Sequence, residues 1–139
     1  MRQCAGSANG KTSMPLSVLI ADDSATIRHV VRSYLQRSPD WHICGEADDG
    51  ETAVELVRSL KPDAVVLDLS MPVMNGLDAA QQMANMSPKT RIVLFTTHDS
   101  GILRVHAAEA GIKAVVAKDG MASLDALQRA LRRDEPRAA

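Results

Sequence analysis

Five times over, the sequence repeats one pattern: a short apolar run, a polar cluster at its end, then apolar residues at helical spacing. The runs are 16–21 (LSVLIA), 41–47 (WHICGEA), 62–67 (PDAVVL), 91–95 (RIVLF) and 112–117 (IKAVVA). The third is the most constrained. Pro62-Asp63 introduces it, four aliphatic residues fill it, and Asp68 ends it, followed by LSMPVMNG up to Gly76. A run this short and this apolar reads as a strand buried on both faces. Pro72 and Asn75-Gly76 then stop the strand, and a helix can begin beyond them. The second run alternates apolar and polar residues, as a strand at a sheet edge does.

The intervening stretches read as helices. Ser24 is a candidate N-cap, and Ile27, Val30, Val31, Tyr34 and Leu35 follow at i, i+3, i+4, i+7 and i+8. Ser38-Pro39-Asp40 ends that helix. The others span 51–60, 77–86, 102–110 and 122–133, with Gly111 suited to the position just past the fourth. Strict alternation of strand and helix implies a parallel sheet with right-handed crossovers. The expected fold is therefore α/β: a flavodoxin-like, doubly wound (βα)5 with a five-stranded parallel sheet in the order 2-1-3-4-5. Residues 16–133 form the domain; 1–15 read as a disordered leader and 134–139 as a tail.

That topology makes a prediction about chemistry. Parallel strands leave the sheet at one edge, so the polar residues that end them converge there. The first strand delivers Asp22 and Asp23, the third Asp68, the fourth Thr96 and the fifth Lys118. Three carboxylates in one crevice repel one another and either keep a proton or bind a cation. With no Cys or His among them, a hard, oxygen-seeking ion fits, most simply Mg²⁺. Carboxylate, divalent metal, lysine and hydroxyl together are the parts of a phosphoryl-transfer site.

These residues carry a resemblance. The Asp22-Asp23 pair, DLSMPVMNG around Asp68, LFTT around Thr96 and VVAKD around Lys118, each after a strand and in this order, resemble a response-regulator receiver domain of a two-component system. DLSMPVMNGLD and Lys118-Asp119 resemble the branch whose receivers precede a LuxR-type helix-turn-helix domain. The resemblance implies that Asp68 accepts a phosphoryl group from a histidine kinase or phosphotransfer protein. It implies that Asp23, Asp68 and the main-chain carbonyl of Ser70 ligate Mg²⁺, with Asp22 acting through a metal-bound water. It implies that Thr96 and Lys118 read the phosphoryl group, and that output is contact with a downstream protein. The usual partner and homodimer surface is the face of helix 4, strand 5 and helix 5. Two positions depart: the aromatic residue usual three places before the lysine is Val115 here, and Asp119 stands where many members have proline.

Composition excludes other classes. Net charge is −1 and there is one each of Trp, Tyr and Phe, so neither a polyanion-binding bias nor a base-stacking platform is present, and no direct nucleic-acid contact is expected. No apolar stretch approaches the ~20 residues of a membrane span. Cys4 and Cys44 lack metal-ligand spacing and read as thiols of a reducing cytoplasm. His98 reads as a solvated loop residue, and Arg129, Arg132 and Arg133 as a solvated helix end. An aspartate-nucleophile phosphohydrolase needs a second carboxylate two residues after the nucleophile, where this chain has Ser70. The chain is therefore read as a signalling phosphoacceptor, with the receiver half of a DNA-binding regulator as the alternative.

Overall fold

The structure is a computed structural model that describes residues 15–132. The expected leader, apart from Pro15, and the expected tail lie outside these residues. Five strands, β1 (Leu16–Ala21), β2 (Trp41–Ala47), β3 (Ala64–Leu67), β4 (Arg91–Thr96) and β5 (Ala114–Ala117), alternate with five helices. The helices are α1 (Ala25–Leu35), α2 (Gly50–Leu60), α3 (Gly76–Met86), α4 (Gly101–Glu109) and α5 (Gly120–Leu131). All pairings are parallel and the order is β2-β1-β3-β4-β5, as the alternation requires.

Each face of the sheet is covered, which is why the central strands are apolar throughout. Leu19, Val65, Leu67, Ile92 and Leu94 point to one side, with Ala53 and Val57 of α2 and Ala80 and Met83 of α3. Val18, Ile20, Val66, Val93 and Phe95 point to the other, with Leu35 of α1 and Leu124, Leu127 and Leu131 of α5. The edge strand β2 departs from even pairing. Val18 pairs with Ile43 but Leu19 with Gly45, so Cys44 is an extra residue in the ladder.

Several boundaries differ from those expected. β3 and β5 begin two residues later: the Asp63 N–H still donates to the Ser17 carbonyl of β1 and the Lys113 N–H to the Ile92 carbonyl of β4, but paired register starts only at Ala64 and Ala114. Asn75-Gly76 is not a turn outside the helix: the Asn75 side chain accepts from the Asp78 N–H as the N-cap of α3. Gly101 starts α4, one residue before the expected 102. Val30, on the expected apolar stripe of α1, is 39% exposed, because it borders a cavity between α1 and the start of α5. Gly111 does follow the end of α4, with φ of 92°.

Candidate functional site

The carboxyl ends of β1, β3, β4 and β5 set the site. Asp22 follows β1 at once, and its N–H donates to the Ala47 carbonyl at 3.0 Å, tying the loop to β2. Asp68 follows β3, and its N–H donates to the Ala21 carbonyl at 2.9 Å. The Lys118 N–H donates to the Thr96 carbonyl at 2.8 Å, which fixes the end of β5 against that of β4. Ladder bonds thus place the backbones of four chemistry-bearing residues before any side chain is considered.

The side chains then meet. Lys118 Nζ donates to Asp22 Oδ2 at 2.8 Å and to Asp68 Oδ1 at 3.2 Å, bridging residues 96 and 50 positions away. It lies over the ring of buried Phe95, 5.7 Å from the centroid. Ser24 N–H donates to the second oxygen of Asp22 at 2.9 Å. Asp22, Asp23 and Asp68 bring carboxylate oxygens within 4.8 Å of one another. Asp22 and Asp68 are buried, at 2% and 6% exposure, whereas Asp23 is exposed. Beside them an open cleft of about 540 Å³ is lined by Asp23, Leu69, Ser70, Met71, Pro72 and Asn75. Asp23, Asp68 and the segment carrying the Ser70 carbonyl are therefore brought together. The ligand atoms this cluster offers are carboxylate oxygens, a donor set that fits a hard divalent cation such as Mg²⁺.

Electrostatics follow from burial and neighbours. Burial raises the Asp68 carboxyl above its ordinary value, the Asp22 carboxylate adds to the rise, and Lys118 opposes it. For Lys118, burial pulls the ammonium down, but the hydrogen bonds and charges of Asp22 and Asp68 together outweigh it and leave it raised. The lysine is thus held charged between two carboxylates, one of which resists ionising.

Thr96 is the last residue of β4 and is buried, not the first of a polar loop. Its hydroxyl accepts from the His98 N–H at 3.0 Å. His98 itself is exposed, as are His29, His42 and His106. Val115 is half-buried, and its carbonyl accepts from Arg104 Nη2 at 3.4 Å. Arg104 also forms a two-point pair with Asp99. Neither this pair nor the contact of Arg28 with the Asp22 carbonyl (2.6 Å) was expected from sequence. The available signal was spacing: Arg28 lies four residues after the N-cap and Arg32 four further on, one face of α1, with Glu46 opposite at the end of β2.

The loop from Asp68 to Gly76 is held by two glycines that admit close backbone approach. A Cβ on Gly76 would sit 2.3 Å from the Asp68 carbonyl oxygen, and one on Gly50 would sit 2.0 Å from that of Met74. Between them the loop turns tightly: Met74 N–H donates to the Pro72 carbonyl at 2.7 Å, and Val73 takes φ of 71°.

Five parallel strands in the order 2-1-3-4-5, flanked by five helices and carrying an acidic crevice at the carboxyl edge, are the architecture of a flavodoxin-like receiver fold. Residues 18–132 match the response regulator receiver domain family, and the chain belongs to it. The chain is 48% identical over 82 residues to a protein-glutamate methylesterase/protein-glutamine glutaminase of Methanosarcina acetivorans, covering 59% of this chain and 23% of that protein. The signal receiver domain of the putative response regulator NarL from Mycobacterium tuberculosis superposes with a TM-score of 0.77 at 30% identity, covering 86% of this chain and 98% of that one. A CheX–CheY–BeF3–Mg²⁺ complex from Borrelia burgdorferi gives a TM-score of 0.74 at 25% identity, covering 83% and 86%. The chain spans about a quarter of the length of the methylesterases it matches, at 23% to 27%. Among the described residues no helix is long and apolar enough to cross a membrane.

Proposed function

We propose that the chain is a phosphorylatable receiver that accepts a phosphoryl group on Asp68 and signals by contact with another protein. One observation carries this reading: a partly buried ammonium, Lys118 Nζ, joins Asp68 to Asp22 in a crevice that Asp23 leaves open to solvent. A carboxylate oxygen of Asp68 attacks the phosphorus of a phosphohistidine on a histidine kinase or phosphotransfer protein. The P–N bond breaks as the P–O bond forms, and the imidazole leaves. Asp23, Asp68 and the Ser70 carbonyl would hold Mg²⁺, with Asp22 acting through a water. The ion supplies positive charge between an anionic nucleophile and an anionic phosphoryl group.

The residues present do the rest. Asp22 holds Lys118 in place, and Lys118 then pairs with a phosphoryl oxygen. The Thr96 hydroxyl, at the end of the adjacent strand, donates to another. Ser70 supplies no carboxylate to activate water, which favours a phosphoacceptor over a turnover hydrolase. Output runs through the face made by α4, β5 and α5, which serves a downstream protein or a second copy. Cytoplasmic location and a receiver spanning 16–133 belong to this reading. So does the alternative that the module regulates a longer protein, a methylesterase or a DNA-binding regulator, which the small share of the matched methylesterases favours.

Incubation with Mg²⁺ and acetyl phosphate, followed by intact mass, tests the proposal. One phosphoryl mass is expected, labile to hydroxylamine and missing in Asp68→Asn. Labelling that persists in Asp68→Asn overturns the assignment.

A further inference from the structure

Asp22 is committed at every polar atom. Its N–H donates to the Ala47 carbonyl, its two carboxylate oxygens accept from Ser24 N–H and Lys118 Nζ, and its carbonyl accepts from Arg28 Nη1 at 2.6 Å. Asp23 differs. It is exposed, and among the described residues no hydrogen bond or ion pair holds its carboxylate. What orients Asp23 is therefore the peptide that joins it to Asp22, the peptide whose carbonyl Arg28 grips. Arg28 is itself anchored. Its Nε donates to Glu46 Oε1 at 3.0 Å, and the two side chains are only 18% and 24% exposed. Arg32 holds the other oxygen of Glu46, with Nε at 2.8 Å. Glu46 pairs in register with Ile20 in β1, next to the Ala47 carbonyl that receives the Asp22 N–H. The end of β2 and the first turns of α1 thus clamp the acidic loop from outside the crevice.

We propose that Arg28, braced by Glu46, is a positioning residue that aims Asp23 into the cation site. This rests on the reading of Asp22, Asp23 and Asp68 as a Mg²⁺ site. Position and charge make opposite predictions. A guanidinium beside three carboxylates repels an incoming cation, so charge alone makes Arg28→Gln bind Mg²⁺ more tightly and leaves Arg28→Lys unchanged. If Arg28 acts by position, both substitutions weaken binding. The ammonium of lysine is a point donor and does not reproduce a planar fork that serves a carbonyl and a carboxylate together.

The test is Mg²⁺ titration of the full chain followed by amide NMR, on wild type, Arg28→Lys, Arg28→Gln and Asp23→Ala. Loss of an outer contact to a metal ligand weakens affinity by about 10-fold, and that is the change expected for both Arg28 variants. The amide nitrogen of Asp23, in the peptide Arg28 grips, should also shift in the absence of metal. Phosphorylation by acetyl phosphate should need more Mg²⁺ yet reach the wild-type rate at saturation, which a general loss of structure would not produce. Arg28→Lys keeps the charge and serves if Arg28→Gln does not fold. Wild-type or tighter affinity in both Arg28 variants overturns the proposal while Asp23→Ala still loses the ion. A wild type that binds no Mg²⁺ overturns the site reading instead.

Discussion

Gly76→Ala separates two opposed effects beside the carboxyl end of β3. Gly76 is the first residue of α3, where alanine is the better helix former by about 1 kcal/mol in a helix interior. On propensity alone the variant would gain stability. The added Cβ, however, would lie 2.3 Å from the Asp68 carbonyl oxygen and 3.0 Å from Leu69 Cα. Both neighbours are backbone, so no rotamer change relieves the overlap. Reaching an ordinary contact near 3.4 Å requires the backbones to part by about 1 Å. The 2.8 Å hydrogen bond from Gly76 N–H to the Leu69 carbonyl resists that parting. Overpacking of this kind costs about 1–3 kcal/mol, enough to outweigh the propensity gain. Urea unfolding should therefore show a net loss of up to about 2 kcal/mol, the difference between these two contributions. Because the displaced group is Asp68 itself, phosphorylation by acetyl phosphate should slow as well. Gly101→Ala is the control: it also starts a helix, and its Cβ would meet nothing within 4 Å, so it should be neutral or stabilising. A Gly76→Ala variant more stable than wild type, with unchanged phosphorylation, would refute the close-approach reasoning.

Two further outcomes follow from the same loop and crevice. Burial and the Asp22 carboxylate raise the Asp68 carboxyl, so the folded chain binds this proton more tightly than the unfolded chain, whose ordinary value is 3.8. Ionising Asp68 therefore removes stability as pH rises from 3.8 through the raised folded value, and Asp68→Asn should be the more stable protein at pH 7 without metal. The advantage should shrink as pH falls through that window; thermal melts that show a constant difference, or none, would sink the idea. Val73 is a β-branched residue at φ 71° with 73% of its surface exposed, so Val73→Asn gives up little burial and relieves a conformation costing about 1–2 kcal/mol. It should stabilise the chain by up to about 1 kcal/mol in urea, and a destabilised variant would show that the turn is not strained.

The fold was legible because the signals were redundant. Periodicity of two kinds, Pro and Gly punctuation, and Ser24 at an N-cap all agreed with one topology, and topology then delivered Asp22, Asp68, Thr96 and Lys118 to one edge. What sequence did not show depends on three-dimensional approach. The pairing of Lys118 with Asp22, and not with Asp68 alone, needs the lengths of two loops. Asn75-Gly76 read only as a strand stop, and it is the distances from Gly50 and Gly76 to Met74 and Asp68 that reveal why no side chain fits at either glycine. The bonds of Arg28 and Arg32 to Glu46 were not legible because Glu46 lies 18 and 14 residues away in another strand. Val30 was misjudged for the same reason: its place on the apolar stripe is correct, but the neighbouring helix does not reach it.

The element best suited to respond to charge at Asp68 is α4. It buries only Leu103 and Ala107 and leaves Ile102 68% and Val105 57% exposed, whereas α5 buries Leu124, Leu127, Leu131 and Ser123. Fewer buried apolar contacts mean a smaller free energy for local displacement. α4 is also connected to the crevice by a short path. Thr96 accepts a hydrogen bond from the His98 N–H, which leaves the proton of its own hydroxyl for a phosphoryl oxygen. Turning that hydroxyl towards a phosphoryl group on Asp68, as proposed, would shift the acceptor of His98 and hence the segment that leads to the Ser100 cap of α4. At the far side of that segment the Asp99–Arg104 pair and the Val115 carbonyl set where α4 rests. With an aliphatic residue at 115 there is no aromatic ring to rotate. The guanidinium of Arg104 is a polar contact between α4 and β5, so under the proposed reading a change at Thr96 would reach this face by altering that contact.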